Sequence, residues 1–362
     1  MKSSKYALCA LLVASFFLSA GALRAAEPGI YMLFVWGTSD PGVRDGVEIS
    51  KRKIEAAFVE DNSPYASVAK REKLTNTAGG LVALNPRIRE KRTLEGASAS
   101  GENILKNCRE LAAAAGPNDA VMVYILCHGA AIKGPDGKRR HGLAPIATDP
   151  NNMQLNRYGI ARGTIMREIT SKPHRLDMLI TDSCSSSAKF ELRDDGEQNG
   201  GAGPTNPYLY EFLLNARGYV NVNSSRPETN LSPAEQAKGF APAHWSSVPA
   251  DEVEREKYEK FAGTVFTNAF LRVAETEEFT EDDFELENFF KKLRKALDDQ
   301  YAMTKQFLND TNQADAFADF NRQATQTLVR FNNDSEAFPP DLQFKSRHEG
   351  GSSSGNAADR GI

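Results

Sequence analysis

Two stretches decide the fold: Val121-Met122-Val123-Tyr124-Ile125-Leu126-Cys127-His128-Gly129 and Leu176-Asp177-Met178-Leu179-Ile180-Thr181-Asp182-Ser183-Cys184-Ser185. Neither alternates strictly between polar and apolar residues. A half-exposed strand would alternate, because successive side chains point to opposite faces. Runs this apolar predict strands covered on both sides, the setting of a central parallel sheet. Each run closes on a reactive side chain, His128 in the first and Cys184 in the second. If the two strands lie side by side and parallel, both residues emerge at one sheet edge.

The surrounding chain fits that frame. Tyr31 to Trp36 reads as a further strand, closed by the turn signal Gly37-Thr38-Ser39-Asp40-Pro41-Gly42. Val43 to Val59 and Gly101 to Ala115 carry apolar residues at helical spacing, and Gly116-Pro117-Asn118-Asp119 stops the second. Gly134-Pro135-Asp136-Gly137 reads as a hairpin tip, Gly163 to Ile169 as a helix and Tyr219 to Val222 as a short strand. Glu254 to Ala274 predicts one long helix, and Thr280-Glu281-Asp282-Asp283 a capping box opening another. Between Asp61 and Ala99 only Leu81 to Leu84 suggests a strand. Strand and helix thus alternate, which predicts an α/β three-layer sandwich with a mostly parallel central sheet flanked by helices. Sites in such sheets lie beyond the carboxyl ends of the strands, where His128 and Cys184 stand.

Composition narrows the function classes. The net charge of -4 gives no basic footprint for nucleic acid. Residues 1–22 read as a secretory signal: Lys2 and Lys5, an apolar run from Tyr6 to Leu18, then Ala20-Gly21-Ala22, with cleavage as late as residue 26 as a second option. The expected mature domain is 27–340, followed by a disordered tail at 341–362. The protein is then expected to be exported, periplasmic or extracellular, with no membrane attachment after signal cleavage. Cys9 leaves with the signal, so Cys108, Cys127 and Cys184 remain, a set matching no disulfide framework. Cys108 and Cys127 fall at apolar positions and read as small buried hydrophobes.

A thiol becomes a good nucleophile as the thiolate, which an adjacent imidazole produces by taking its proton. Cys184 is the candidate nucleophile and His128 the candidate base. The backbone N–H groups of Gly129 and Cys184 are candidate oxyanion donors. The sequence supplies no third group to orient His128, so the pair reads as a dyad.

These residues give the chain a family likeness: it resembles the caspase-like cysteine peptidases, metacaspases and bacterial caspase-domain proteins in particular. Their active sites read as an apolar strand then His-Gly, and later an apolar strand then Asp-x-Cys. Here those are Leu126-Cys127-His128-Gly129 and Thr181-Asp182-Ser183-Cys184-Ser185-Ser186, with His128 and Cys184 56 positions apart. The likeness runs from about Gly29 to Phe307 and includes Val43-Arg44-Asp45-Gly46 and Phe266-Thr267-Asn268-Ala269-Phe270. It implies a caspase-like fold, peptide or protein substrates, and an acidic pocket for Lys or Arg built from Asp182 and Asp45. Ser225 and Glu228 would stand in a pocket wall. Two positions depart from the family pattern: Ser185-Ser186-Ser187 replaces the usual Ser-Gly, and Leu126 replaces a small polar residue before the His. Some relatives of this kind need calcium, but no calcium-loop spacing is present, and neither metal nor other cofactor is expected.

Other readings remain. The fold could have lost turnover and serve as a binding or regulatory module. An acidic-specific pocket would need basic residues, of which only Arg44 is well placed. A serine hydrolase lacks its G-x-S-x-G elbow. A zinc site from Cys127, His128 and Cys184 fails because adjacent strand residues face opposite ways.

Overall fold

A computed structural model of the chain describes residues 27–58, 72–75, 81–84, 87–133, 139–147, 159–183, 207–224, 261–274, 279–310 and 342–345. The apolar runs become β1 (Ile30–Trp36), β5 (Ala120–Leu126), β9 (Leu176–Asp182) and β10 (Gly218–Asn223). With β4 (Ile88–Glu95) and β11 (Leu342–Lys345) they form one sheet in the order β11-β10-β9-β5-β1-β4. The five strands from β10 to β4 are parallel, and β11 is the antiparallel edge. β2 (Glu72–Thr75) and β3 (Leu81–Leu84) pair apart from this sheet, as do β6 (His128–Lys133), β7 (Arg139–Ala144) and β8 (Ile160–Ala161).

Two apolar layers cover the sheet, as unalternating strands require. On one face Phe34, Trp36, Met122, Tyr124 and Leu126 join the core of α1 (Pro41–Ala57), α4 (Pro207–Asn215), α5 (Val265–Leu271) and α6 (Leu286–Asp310). On the other, Leu33, Val35, Val121, Val123 and Ile125 pack with α2 (Gly101–Ala114) and α3 (Arg162–Ile169). The architecture is a three-layer α/β sandwich. The chain passes from β1 to β4 and then returns to place β5 on the other side of β1. Strand order therefore reverses at β1, which makes the carboxyl ends of β1 and β5 the topological switch point, the preferred ligand site of open α/β sheets.

Several expectations shift in detail. α1 begins at Pro41 because Asp40 caps it: the Asp40 carbonyl accepts the first helical bond from Arg44 N at 3.0 Å, and proline suits the first helical position. The helix expected over 254–274 starts only at Val265 within the described residues. Gly263 holds a φ of +91°, and a Cβ there would sit 2.7 Å from the Ser50 hydroxyl oxygen. The chain turns at that glycine and re-enters helix with Thr264 as N-cap. The capping box at Thr280 closes a short 3-10 turn, Glu281–Phe284, ahead of α6. β11 falls within the stretch expected as a disordered tail. The expected signal segment lies outside the described residues. No described helix is long and apolar enough to cross a membrane.

Candidate active site

Register places the site. Trp36 of β1 pairs with Leu126 of β5, and Leu126 pairs with Asp182 of β9. Bonds continue past the strands: Gly37 N donates to Leu126 O at 2.8 Å, and Cys127 N to Asp182 O at 3.2 Å. His128 stands two residues beyond Leu126, and Cys184 stands two residues beyond Asp182. Cys184 itself lies outside the described residues, with Ser225 and Glu228.

His128 opens β6 after a bend at Cys127. Its Nε2 is 2.7 Å from Oδ2 of Asp40, and the two side chains are 6% and 8% exposed. The dyad expectation therefore changes: a carboxylate from the turn after β1 meets the imidazole. An ionised carboxylate can only accept, so with a neutral ring beside it Nε2 is the donor and Nδ1 the nitrogen left without a proton. Asp40 lay within what the sequence offers as a plain turn signal. Its marker was an Asp-Pro helix start directly after a strand that neighbours the His strand.

Close packing sets this meeting. A Cβ on Gly37 would lie 2.6 Å from Cys127 Cβ and 2.9 Å from its Cα, so only glycine lets the end of β1 lie against that bend. Gly37→Ala is expected to cost about 1–3 kcal/mol, read as a lowered thermal midpoint. It should also lower any His128-dependent turnover, because relief of the clash moves the backbone carrying the imidazole.

Asp182 is the second buried carboxyl at this edge, 1% exposed. Its Oδ2 accepts from the Thr264 hydroxyl, which caps α5, and from the Thr267 hydroxyl at 3.0 Å. Thr267 Oγ1 also lies 2.8 Å from Tyr124 Oη. With the Thr267 proton given to Asp182, the Tyr124 O–H donates to Thr267. Burial pushes the Asp182 carboxyl above its ordinary 3.8, against the hydroxyls of Thr264, Ser224 and Thr267, which pull it down. α1 supports the same corner: Ser50 Oγ accepts from Thr264 N at 2.9 Å, and Lys53 Nζ donates to Ala262 O at 2.7 Å and Asn268 Oδ1 at 2.8 Å.

The approach to Cys184 is equally tied. Ser183 is fully buried, its N–H donating to Ser224 Oγ and its hydroxyl to Asn223 Oδ1, both at 3.0 Å. Thr181 Oγ1 donates to the same Asn223 oxygen at 2.6 Å, and Ser224 N to Thr181 O at 2.9 Å. The ends of β9 and β10 are thus stitched together up to the residue before the cysteine.

The other expected residues are placed less completely. Gly129 is buried in β6 opposite Leu143, and Asp45 lies in the first turns of α1. Cys108 is buried on α2, which pushes its thiol up to about 12. Cys127 is 1% exposed, and its Sγ donates to the His128 carbonyl at 3.1 Å. Neither thiol has the accessible, electropositive surroundings of a nucleophile. Among the described residues, no group of three or more His, Cys, Asp or Glu could hold a metal ion. No family model matches the chain, and no curated protein matches it.

Proposed function

We propose that this chain is a caspase-like cysteine endopeptidase in which Cys184 is the nucleophile and His128 the base. One observation carries the reading: an imidazole held by a carboxylate stands two residues beyond Leu126, which pairs with Asp182, itself two residues before Cys184 in the sequence. Neighbouring strands lie about 4.8 Å apart, so the ends of β5 and β9 that lead to the two residues are adjacent. In the proposed reaction His128 takes the Cys184 proton, and the thiolate attacks the scissile carbonyl. The Gly129 and Cys184 N–H groups receive the oxyanion. The imidazolium then protonates the leaving amine, and water, deprotonated by the same imidazole, hydrolyses the thioester.

The proposed preference is for Lys or Arg before the cut bond. Asp182 is already bound by the hydroxyls of α5, so the carboxylate assigned to the substrate's cation is that of Asp45, on the helix that follows Asp40. Ser225 and Glu228, immediately after β10, are assigned to the pocket wall. An exported, signal-bearing precursor is part of the same proposal.

A peptide-based thiol-reactive probe tests it. With a Lys or Arg warhead, Cys184 should be labelled far faster than Cys108 or Cys127, as read by peptide mass mapping. Equal, slow labelling of all three would overturn the assignment and leave a binding module on the same fold.

A further inference from the structure

We infer that Asp40 is a positioning residue for His128, so that the site works as an Asp-His-Cys triad in which Nδ1, not Nε2, serves as the base. The inference rests on the peptidase reading above for its catalytic half, and on geometry alone for its structural half. The carboxylate and imidazole meet at 2.7 Å and are nearly sealed from solvent. A hydrogen bond to a charged acceptor is roughly twice as strong as a neutral one, and water competes poorly at this depth.

Three features hold the pair in one arrangement. Asp40 caps α1, so its backbone is fixed by the helix it starts. Gly37, three residues earlier, is bonded to Leu126 and packed on Cys127. His128 opens β6 opposite Ala144 of β7, which limits where its Cα can go. The imidazole is therefore placed from two chain segments 88 residues apart in sequence. Such placement does two things for a base. It selects the tautomer with Nδ1 bare, and it supplies a negative charge beside the ring when the thiol proton arrives. That proton moves from Sγ to Nδ1, leaving thiolate and imidazolium, while the Nε2 proton stays shared with Asp40. No other reactant is consumed.

Asp40→Asn tests this in the full chain, because the amide keeps the shape but loses the charge and can present N–H to Nε2, reversing the tautomer. Turnover of a Lys or Arg peptide should fall about 10²- to 10⁴-fold in kcat, with KM nearly unchanged and the thermal midpoint close to that of the parent. Asp40→Glu should recover part of the loss. Independently of activity, proton NMR of Cys184→Ala chain should show a downfield, exchange-protected His128 Nε2–H, shifted upfield or lost when Asp40→Asn is added. Absence of that resonance in the Cys184→Ala chain overturns the inference, as does an Asp40→Asn enzyme with unaltered kcat. If the resonance behaves as expected but the parent cleaves no peptide, the Asp40–His128 coupling stands and the peptidase reading fails. Should Asp40→Asn not fold, the Cys184→Ala spectrum decides alone.

Discussion

Cys184→Ala is expected to remove peptide hydrolysis almost completely, with kcat falling by about 10⁴-fold or more. The size follows from the chemistry. Without Sγ there is no acyl intermediate, and what remains is substrate binding and oxyanion stabilisation, worth far less than the covalent route. His128→Ala should fall comparably, because a thiol without its base is mostly unreactive at neutral pH. The double variant should fall little further than either single one, since the two groups act as one unit. That non-additivity distinguishes a working pair from two residues that merely support the fold, whose effects would add. Initial rates on fluorogenic Lys and Arg peptides measure all three variants. A Cys184→Ala protein with more than a few per cent of parent activity would place the nucleophile elsewhere.

The parts of the fold that could be read from sequence are those whose burial is one-sided in no sense. β1, β5 and β9 are covered on both faces, so their runs are mostly apolar, broken early in β9 only by Asp177, whose carboxylate is taken by His174. β4 escaped notice because, among the described residues, it pairs with β1 alone and most of its positions are exposed or half-exposed. Its sequence, Ile-Arg-Glu-Lys-Arg-Thr-Leu-Glu, is charged accordingly, and Arg92 spends its guanidinium on Glu90 and Glu110 rather than on a core. The helix boundary near residue 264 was hidden for another reason. Apolar spacing runs through Phe261, Val265 and Phe266, but the backbone conformation is set by Gly263 and by the Thr264 cap, which periodicity does not register. Asp40 was missed because its partner is remote. Local reading finds a capped helix start; only the β1–β5 pairing brings that cap to His128.

Asp182 sits at the point where the anchor and pocket readings separate, and two substitutions tell them apart. Asp182→Ala removes the acceptor of two buried threonine hydroxyls and opens a small void between β9 and α5. Unsatisfied buried hydroxyls and the void together should cost about 2–4 kcal/mol, seen as a lower thermal midpoint. Asp182→Asn is different. Both threonine bonds go to one oxygen, Oδ2, so the amide oxygen can accept both, and the frame around α5 survives. The pH response follows from the raised carboxyl. A group whose folded pKa exceeds its unfolded one binds its proton more tightly in the folded chain, so stability falls as pH rises from about 3.8 through the folded value. Above that window the parent bears the full cost of a buried carboxylate, and below 3.8 it bears none. The Asn variant has no such proton, so its stability relative to the parent should climb with pH across the window and then level off. Denaturant midpoints at a series of pH values would show this, and a difference independent of pH would remove the argument. Peptide selectivity completes the test. As an anchor, Asp182 can become Asn without loss of the preference for Lys or Arg over Ala; as a pocket carboxylate, it cannot, because the substrate's cation would lose its countercharge.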